Sequence, residues 1–175
     1  MGEQISFEIT AAPGFDKQIG ELVSMMNYVR TTTLLAVEGL DTRHLDYLHD
    51  DKSNSIGGLL SHMASIEFIF QSLTFENKEP DEKAIAQWRP SLELGDLGRK
   101  EINGKPLDFY LDRLHKTREL TLAKLTDLND DWLYEKRELG GQPSNNYFMW
   151  FHVFEDELNH RGQIRWLRTR AEESL

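Results

Sequence analysis

The residues best suited to chemistry lie in one short stretch, residues 151–164. It contains His152, Asp156 and His160 at successive intervals of four. Side chains four residues apart lie on one face of a helix, and imidazole and carboxylate groups are common ligands of divalent metals. His152 and His160 are separated by about 12 Å along a helix axis, so one ion cannot bind both. The spacing therefore predicts a metal site that combines Asp156 with one of the two histidines.

A third ligand must come from another helix, and His62 is the best candidate. It lies between the apolar positions Leu59 and Ile66, so its side chain is directed towards the protein interior. Two imidazoles and one carboxylate suit Zn, Ni, Fe or Mn, and the sequence does not choose among them. The alternatives without a metal are a hydrogen bond from His62 to a neighbouring group, and for Asp156 a salt bridge to a residue such as Arg118 or a buried Asp–His pair.

Four segments with helical periodicity must position these side chains. Apolar residues recur at steps of three and four in residues 15–33, 56–73, 107–128 and 145–172. Ser53 or Ser55 is the predicted N-cap of the second segment. We therefore expect an all-α four-helix bundle in one domain over residues 1–175.

The segments between these helices also have sequence patterns that predict their structure. Residues 77–106, which contain three of the five prolines, predict a long crossover with one short helix near residues 81–87, where insertions would be tolerated. Residues 140–143 predict a loop before the last helix. Strand-like alternation is found only at Ile5, Phe7 and Ile9.

Composition limits the class of protein. The formal net charge of -10 repels phosphate backbones and anionic lipids, so neither nucleic acid nor a membrane is expected as a partner. The absence of cysteine excludes disulfides, thiolate metal ligands and a cysteine nucleophile, so any thiol must come from a substrate. The sequence has no signal peptide pattern and no apolar run of 18 residues, and we expect a cytoplasmic protein.

Two motifs carry a resemblance to a known family. Residues 159–164, Asn-His-Arg-Gly-Gln-Ile, closely resemble the signature on the last helix of the DinB/YfiT-like superfamily, and residues 55–63 resemble its second-helix motif. The resemblance covers about residues 15–170. It implies a four-helix bundle with a long connection between helices two and three, often dimeric. It also implies a divalent metal bound by one histidine of helix two and two histidines one turn apart on the last helix.

Transferred to this sequence, the implied metal ligands are His62, Asp156 and His160. The sequence departs from the family pattern because Asp156 replaces a histidine. Aspartate is a competent ligand for the same metals, so the site either persists with a changed charge or has been lost. In the second case His152 is a substitute ligand, or it orients Asp156.

The resemblance also implies an activity. Similar proteins include metal-dependent transferases and isomerases that use bacillithiol or mycothiol, so the first hypothesis is a transferase in which the metal favours the thiolate form of such a thiol. A metal-dependent hydrolase is the second hypothesis, with Asp156 as general base if it is not a ligand. The third is a non-catalytic metal-binding or stress-related sensing bundle.

Other residues near the motifs are predicted to have structural roles. Gly162 would permit close approach of two helices, and Gln163 would hydrogen-bond a neighbouring loop or helix end. Glu67 is expected to point away from the site, into solvent or a salt bridge. The aromatic residues within 147–154 are expected to form core or the seam of a homodimer.

Overall fold

The computed structural model describes residues 6–175. Within them the chain forms eight helices and one two-stranded sheet, in the order α1 (Lys17–Val37), α2 (Thr42–Asp46), α3 (Ile56–Phe75), α4 (Glu82–Glu93), α5 (Gly95–Glu101), α6 (Leu107–Leu125), α7 (Asp130–Leu133), β1 (Lys136–Leu139), β2 (Gln142–Asn145) and α8 (Asn146–Ser174). Among these helices, none combines the length and the hydrophobicity that a membrane-spanning segment requires.

The four long helices, α1, α3, α6 and α8, form a bundle in which α3 packs against α6 and α8, and α1 packs against α8. The core has two clusters, named here after Tyr110 and Trp150. The first halves of α1 and α8 lie in the Trp150 cluster, and their later parts lie in the Tyr110 cluster. In α3 and α6 the first half lies in the Tyr110 cluster and the end lies in the Trp150 cluster. Consequently α1 and α8 run in one direction and α3 and α6 in the other. The chain must therefore return along the bundle between the end of α3 and the start of α6. The predicted all-α four-helix bundle with a long crossover is confirmed.

Side-chain caps explain where two of the helices that carry the candidate site begin. The Ser55 hydroxyl accepts a hydrogen bond from the Gly58 amide at 3.0 Å, so Ser55 rather than Ser53 is the N-cap of α3. The Asn145 side chain accepts a bond from the Phe148 amide at 2.8 Å and starts α8. Each cap satisfies an amide that has no partner within its helix.

The connections differ from the sequence predictions. The crossover contains two helices, α4 and α5, rather than one. A hairpin, β1 paired antiparallel with β2, stands where only a loop is predicted. Gly140 and Gly141 form its turn with φ of +59° and +77°, a conformation that glycine adopts without strain. Phe7 and Ile9 have no regular structure, while Ile5 lies outside the described residues.

A buried charged layer separates the two core clusters. It consists of one residue from each long helix, namely Arg30, Glu67, Arg118 and Glu157, each at most 9% exposed. Glu67 is fully buried and lies 2.7 Å from Arg118 Nε and 3.2 Å from Arg30 Nη2. Arg30 Nε lies 2.9 Å from Glu157. The salt bridge foreseen for Glu67 is thus present, but in the interior and not at the surface.

The charges in this layer stabilise one another. Burial alone would raise the pKa of Glu67, but Arg118 and Arg30 outweigh it and lower that pKa below its usual value. Burial alone would lower the pKa of Arg30, and Glu157 and Glu67 raise it instead. Arg30 and Glu67 therefore remain ionised, and the layer balances two arginines against two glutamates.

Candidate metal centre

His62 is held in a defined orientation by the crossover. Its Nδ1 lies 2.8 Å from the carbonyl oxygen of Ser91 in α4, and only an N–H can donate to that oxygen. The proton is therefore on Nδ1, and Nε2 carries a free lone pair. Nε2 lies 3.8 Å from Asp156 Oδ2. A ligand histidine usually donates its other ring N–H to a carbonyl or carboxylate in this way.

Asp156 and His160 lie one turn apart on α8 and face His62. His160 Nε2 is 3.3 Å from Asp156 Oδ1, and the two imidazole rings meet edge to face with centroids 4.9 Å apart. One ligand atom from each of the three side chains lies within 4.8 Å of the others. The structure thus brings together the three residues that the sequence and the family resemblance select.

Unsatisfied polar atoms indicate what this group lacks. Asp156 Oδ2 and His160 Nδ1 are buried and have no hydrogen-bond partner within residues 6–175. A buried carboxylate oxygen without a donor is costly, whereas a divalent cation would satisfy it. The three side chains are 12–17% exposed, which leaves access for water or a substrate. Two imidazoles and one carboxylate on a partly open site fit a divalent transition metal.

The protonation states agree with this fit. Burial lowers the pKa of His62 below its usual value, and it outweighs the opposing effects of Ser91 and Asp156. Burial would raise the pKa of Asp156, but contact with His160 and the fields of His62 and His152 lower it overall. Near neutral pH, His62 is therefore a neutral imidazole and Asp156 a carboxylate, the forms that bind metals.

The alternatives considered for these residues have other structures. His152 does not belong to the three-residue group: its Nδ1 lies 2.9 Å from Glu155 Oε2, and its ring stacks on Phe148. Arg118 pairs with Glu67 and Glu157 rather than with Asp156.

Two features of the site escaped the sequence analysis. The Ser91 carbonyl gives no sequence signal, because every residue has a carbonyl. The charged layer did leave a signal, since each of its members follows a buried apolar residue by four positions and so continues an apolar stripe. These pairs are Met26 and Arg30, Met63 and Glu67, Leu114 and Arg118, and Val153 and Glu157.

An open groove of about 530 Å³ lies along α8, and its lining includes Asn159, the residue before His160. It is lined by residues of the segment before α3 and of α8: Lys52, Ser53, Asn54, Asn159, Gly162, Gln163, Trp166 and Leu167. Gly162 does not mediate helix packing as expected, because a Cβ placed there would meet no atom within 4 Å. Gln163 is exposed and makes no side-chain hydrogen bond to the described residues. Both residues border the groove instead.

The aromatic residues before the site divide into core and surface. Trp150 is fully buried, and its Nε1 donates to the Thr74 hydroxyl at 3.1 Å. Phe148 and Phe151 are 48% and 42% exposed. With Met25, Asn145, Tyr147 and Phe154 they line an apolar hollow of about 450 Å³, the aromatic cup.

Comparison with known proteins gives a family match and structural matches. The family described as mycothiol-S-transferase matches residues 21–172, a range that includes His62, Asp156 and His160. A crystal structure of a Streptococcus pneumoniae protein is similar, with a TM-score of 0.63 and 12% sequence identity over 89% of this chain and 90% of that chain. At that identity the likeness shows the fold alone. No curated protein matches the chain.

Proposed function

This chain belongs to the mycothiol-S-transferase family, a DinB-like family, and from that membership we propose that it is a metal-dependent transferase. It would join a low-molecular-weight thiol to an electrophilic small molecule, with His62, Asp156 and His160 as the metal ligands. The sulfur forms a bond to an electrophilic carbon, the leaving group departs with the bonding electrons or an epoxide opens, and the thiol proton passes to solvent. When bound, the metal would lower the pKa of the thiol.

The observation that carries this proposal is the buried, unpartnered Oδ2 of Asp156 beside the free Nε2 of His62. The Ser91 carbonyl fixes the His62 proton on the nitrogen away from Asp156, so the ring presents a lone pair to the site. α8 holds His160 on the same face, one turn along. These contacts align three donors at little cost in side-chain entropy when a metal binds.

The chain has no cysteine, so the reacting sulfur must belong to a substrate. A cysteine-free protein also cannot form a mixed disulfide with that thiol. Bacillithiol and mycothiol are the thiols that we propose to test. The metal is one of Zn, Ni, Fe or Mn.

Elemental analysis tests the metal. Untagged protein would be reconstituted with each metal in turn and measured beside the variants His62→Ala and His160→Ala. We expect about one equivalent in the wild type and less than about a tenth in the variants. His115→Ala is the matched control, because His115 is 71% exposed and lies outside the site. A wild type that binds no metal after reconstitution would refute the transferase and favour a structural or sensing bundle.

Thiol consumption tests the chemistry. Metal-loaded protein would be mixed with bacillithiol or mycothiol and a chlorinated or epoxide electrophile, and loss of free thiol would be followed with metal-free protein as the blank. Consumption that requires His62 and His160 would support the proposal. Metal binding without consumption of either thiol would favour a sensing role, and hydrolysis of an ester or amide substrate in its place would favour a hydrolase.

We also propose that residues 1–175 act as one domain in a cytoplasmic homodimer. A reducing compartment keeps a thiol substrate available. The aromatic cup supports the dimer, because exposed clustered aromatic side chains are typical of the centre of an interface. Replacing Phe148 and Phe151 by aspartate should yield a monomer in sedimentation velocity. An unchanged sedimentation coefficient would place the interface elsewhere, and a monomeric wild type would refute the dimer.

A further inference from the structure

Two hydrogen bonds join the junction of α4 and α5 to the part of the chain that carries His62. The carbonyl of Ser91, in the last turn of α4, accepts from His62 Nδ1 at 2.8 Å. The amide of Gly95, at the start of α5, donates to Asn54 Oδ1 at 3.0 Å. Asn54 directly precedes Ser55, the N-cap of α3, so its side chain is anchored at the start of that helix. The junction therefore contacts the α3 segment at two positions, and one of them is a candidate metal ligand.

The two bonds depend on each other, because Ser91 and Gly95 are four residues apart. In a continuous α-helix the Gly95 amide would donate to the Ser91 carbonyl. Here α4 ends before Gly95, and the Gly95 amide turns to Asn54 instead. A carbonyl in the last turn of a helix lacks its helical donor and can tilt out to a side chain. The Ser91 carbonyl is therefore available to His62.

Backbone strain at Leu94 marks this break in the helix. Leu94 has φ of +51° and ψ of -142°, a conformation that residues other than glycine rarely adopt, and its amide makes the last bond of α4, to the Pro90 carbonyl. Its side chain packs at the first turn of α3, where its Cδ2 would lie 3.7 Å from a Cβ at Gly58. Strain of this kind persists only where the surroundings impose it. The bond from Gly95 to Asn54 imposes it, because rotation of the Leu94–Gly95 peptide into a helical conformation would break that bond.

We propose that Asn54 is a positioning residue for the metal centre and acts through the junction of α4 and α5. By accepting the Gly95 amide, Asn54 keeps the Ser91 carbonyl available to His62. It thereby holds the His62 proton on Nδ1 and leaves the Nε2 lone pair for a metal. Without that acceptor the proton would move to Nε2, from where it would be donated to Asp156 Oδ2. This inference rests on the proposed function for the presence of a metal, but the proton position is a property of the metal-free protein.

The position of the His62 proton tests the proposal in metal-free protein. Two-dimensional ¹H–¹⁵N spectra of the imidazole side chains distinguish the two neutral tautomers, and the His62 signals are identified by their loss in His62→Ala. At about pH 8, where an ordinary histidine is neutral, we expect the proton on Nδ1 in the wild type. Asn54→Leu removes the acceptor with little change in volume, and the proton should move to Nε2. Asn54→Asp keeps an acceptor oxygen and should preserve the wild-type tautomer.

The affinity for Zn²⁺ measures the consequence for the metal centre, and it would be determined by chelator competition at the same pH. Asn54→Leu should bind Zn²⁺ about 10–100-fold more weakly than the wild type, which is the loss typical of a residue that orients a ligand. Asn54→Asp should not weaken binding. Neither measurement involves a thiol, so the position of Asn54 at the groove does not affect the result.

Asn129→Ala is the matched control. Asn129 also accepts a hydrogen bond from a backbone amide, that of Trp132 at 3.3 Å, but it caps α7 and lies outside the candidate site. Because the two positions are independent, this variant should keep the His62 tautomer and should bind Zn²⁺ within about threefold of the wild type. Asn54→Ala replaces Asn54→Leu if that variant does not fold.

Several results would overturn the inference. A His62 proton on Nε2 in the wild type, or an unchanged tautomer in Asn54→Leu, would do so whatever the affinity for Zn²⁺. In a wild type that binds Zn²⁺, equal affinity in Asn54→Leu would also contradict it, as would an equal loss in Asn54→Asp or Asn129→Ala. A wild type that binds no metal would refute the proposed function, and the tautomer comparison would still decide whether Asn54 positions His62.

Discussion

The buried charged layer makes a strong prediction about stability. Replacing Glu67 by glutamine keeps the shape of the side chain but removes its charge, so the layer changes from neutral to a net charge of +1. Glu67 is fully buried and accepts hydrogen bonds from Arg30, Arg118 and Thr121. Removing one partner of a buried ion pair typically costs about 3–5 kcal/mol. We therefore expect Glu67→Gln to lower the free energy of unfolding by about 3–5 kcal/mol and the Tm by roughly 8–14 °C.

The assay is urea unfolding followed by far-ultraviolet circular dichroism at pH 7, with chelator present because bound metal would add to the stability. The matched control is Asp112→Asn. Asp112 forms a pair with Lys116 in which both side chains are more than half exposed, and such a pair contributes about 0.5 kcal/mol or less. The double variant Glu67→Met/Arg118→Met leaves Arg30 and Glu157 as a neutral pair, and it should be more stable than Glu67→Gln.

A loss below about 1 kcal/mol in Glu67→Gln would refute this reasoning, since the burial of Arg30 and Arg118 would then not depend on an opposite charge. A double variant that is less stable than Glu67→Gln would also contradict it. In that case packing around the side chains, rather than charge balance, would dominate the layer.

The other predictions concern the site and its surroundings. Gly57→Ala should destabilise the protein by about 1–3 kcal/mol in the same unfolding assay, because the new Cβ would lie 2.7 Å from the ring of buried Tyr110. Gly162→Ala is the matched control, because its Cβ would meet no atom within 4 Å. It should be neutral or stabilising by up to about 1 kcal/mol. Burial depresses the pKa of His62, so metal-free protein should lose stability as the pH falls below 6.5, where the unfolded chain binds the proton first. His62→Gln should flatten that dependence in unfolding experiments between about pH 7.5 and 5.5, and an unchanged slope would contradict the assignment. Asp156→Asn should weaken metal binding more than about 100-fold in a chelator competition, which exceeds the effect typical of a residue that only orients a ligand. A loss of affinity below about tenfold would exclude Asp156 as a ligand.

Much of the fold could be predicted because its long helices carry strong local signals. Apolar residues at steps of three and four gave all four long helices, and Ser55 marked the start of α3. The hairpin was missed because its strands, Lys136–Leu139 and Gln142–Asn145, consist mostly of polar residues and their sequence does not alternate apolar with polar types. Its two glycines signalled a turn, but nothing nearby signalled strands.

The candidate site was predictable to the extent that it depends on side chains within one helix. Helix geometry alone predicted that Asp156 and His160, four residues apart, lie on the same face. The position of His62 on an apolar stripe predicted that its side chain faces the interior. The bond between His62 and Ser91 spans 29 residues and uses a backbone carbonyl, which any residue would provide. The groove is likewise a product of tertiary structure, since it forms between α8 and a segment more than a hundred residues earlier.

The crossover has a consequence for how proteins of this architecture can diverge. A bundle needs this connection only to return the chain from α3 to α6, and the sequence suggested that insertions would be tolerated throughout it. Ser91 and Gly95, however, hold His62 and Asn54. A change of length near these two positions would rotate the imidazole or shift the groove wall without altering a single proposed ligand. The connection is therefore a place where metal preference and substrate range can evolve while the bundle and its ligand set remain the same.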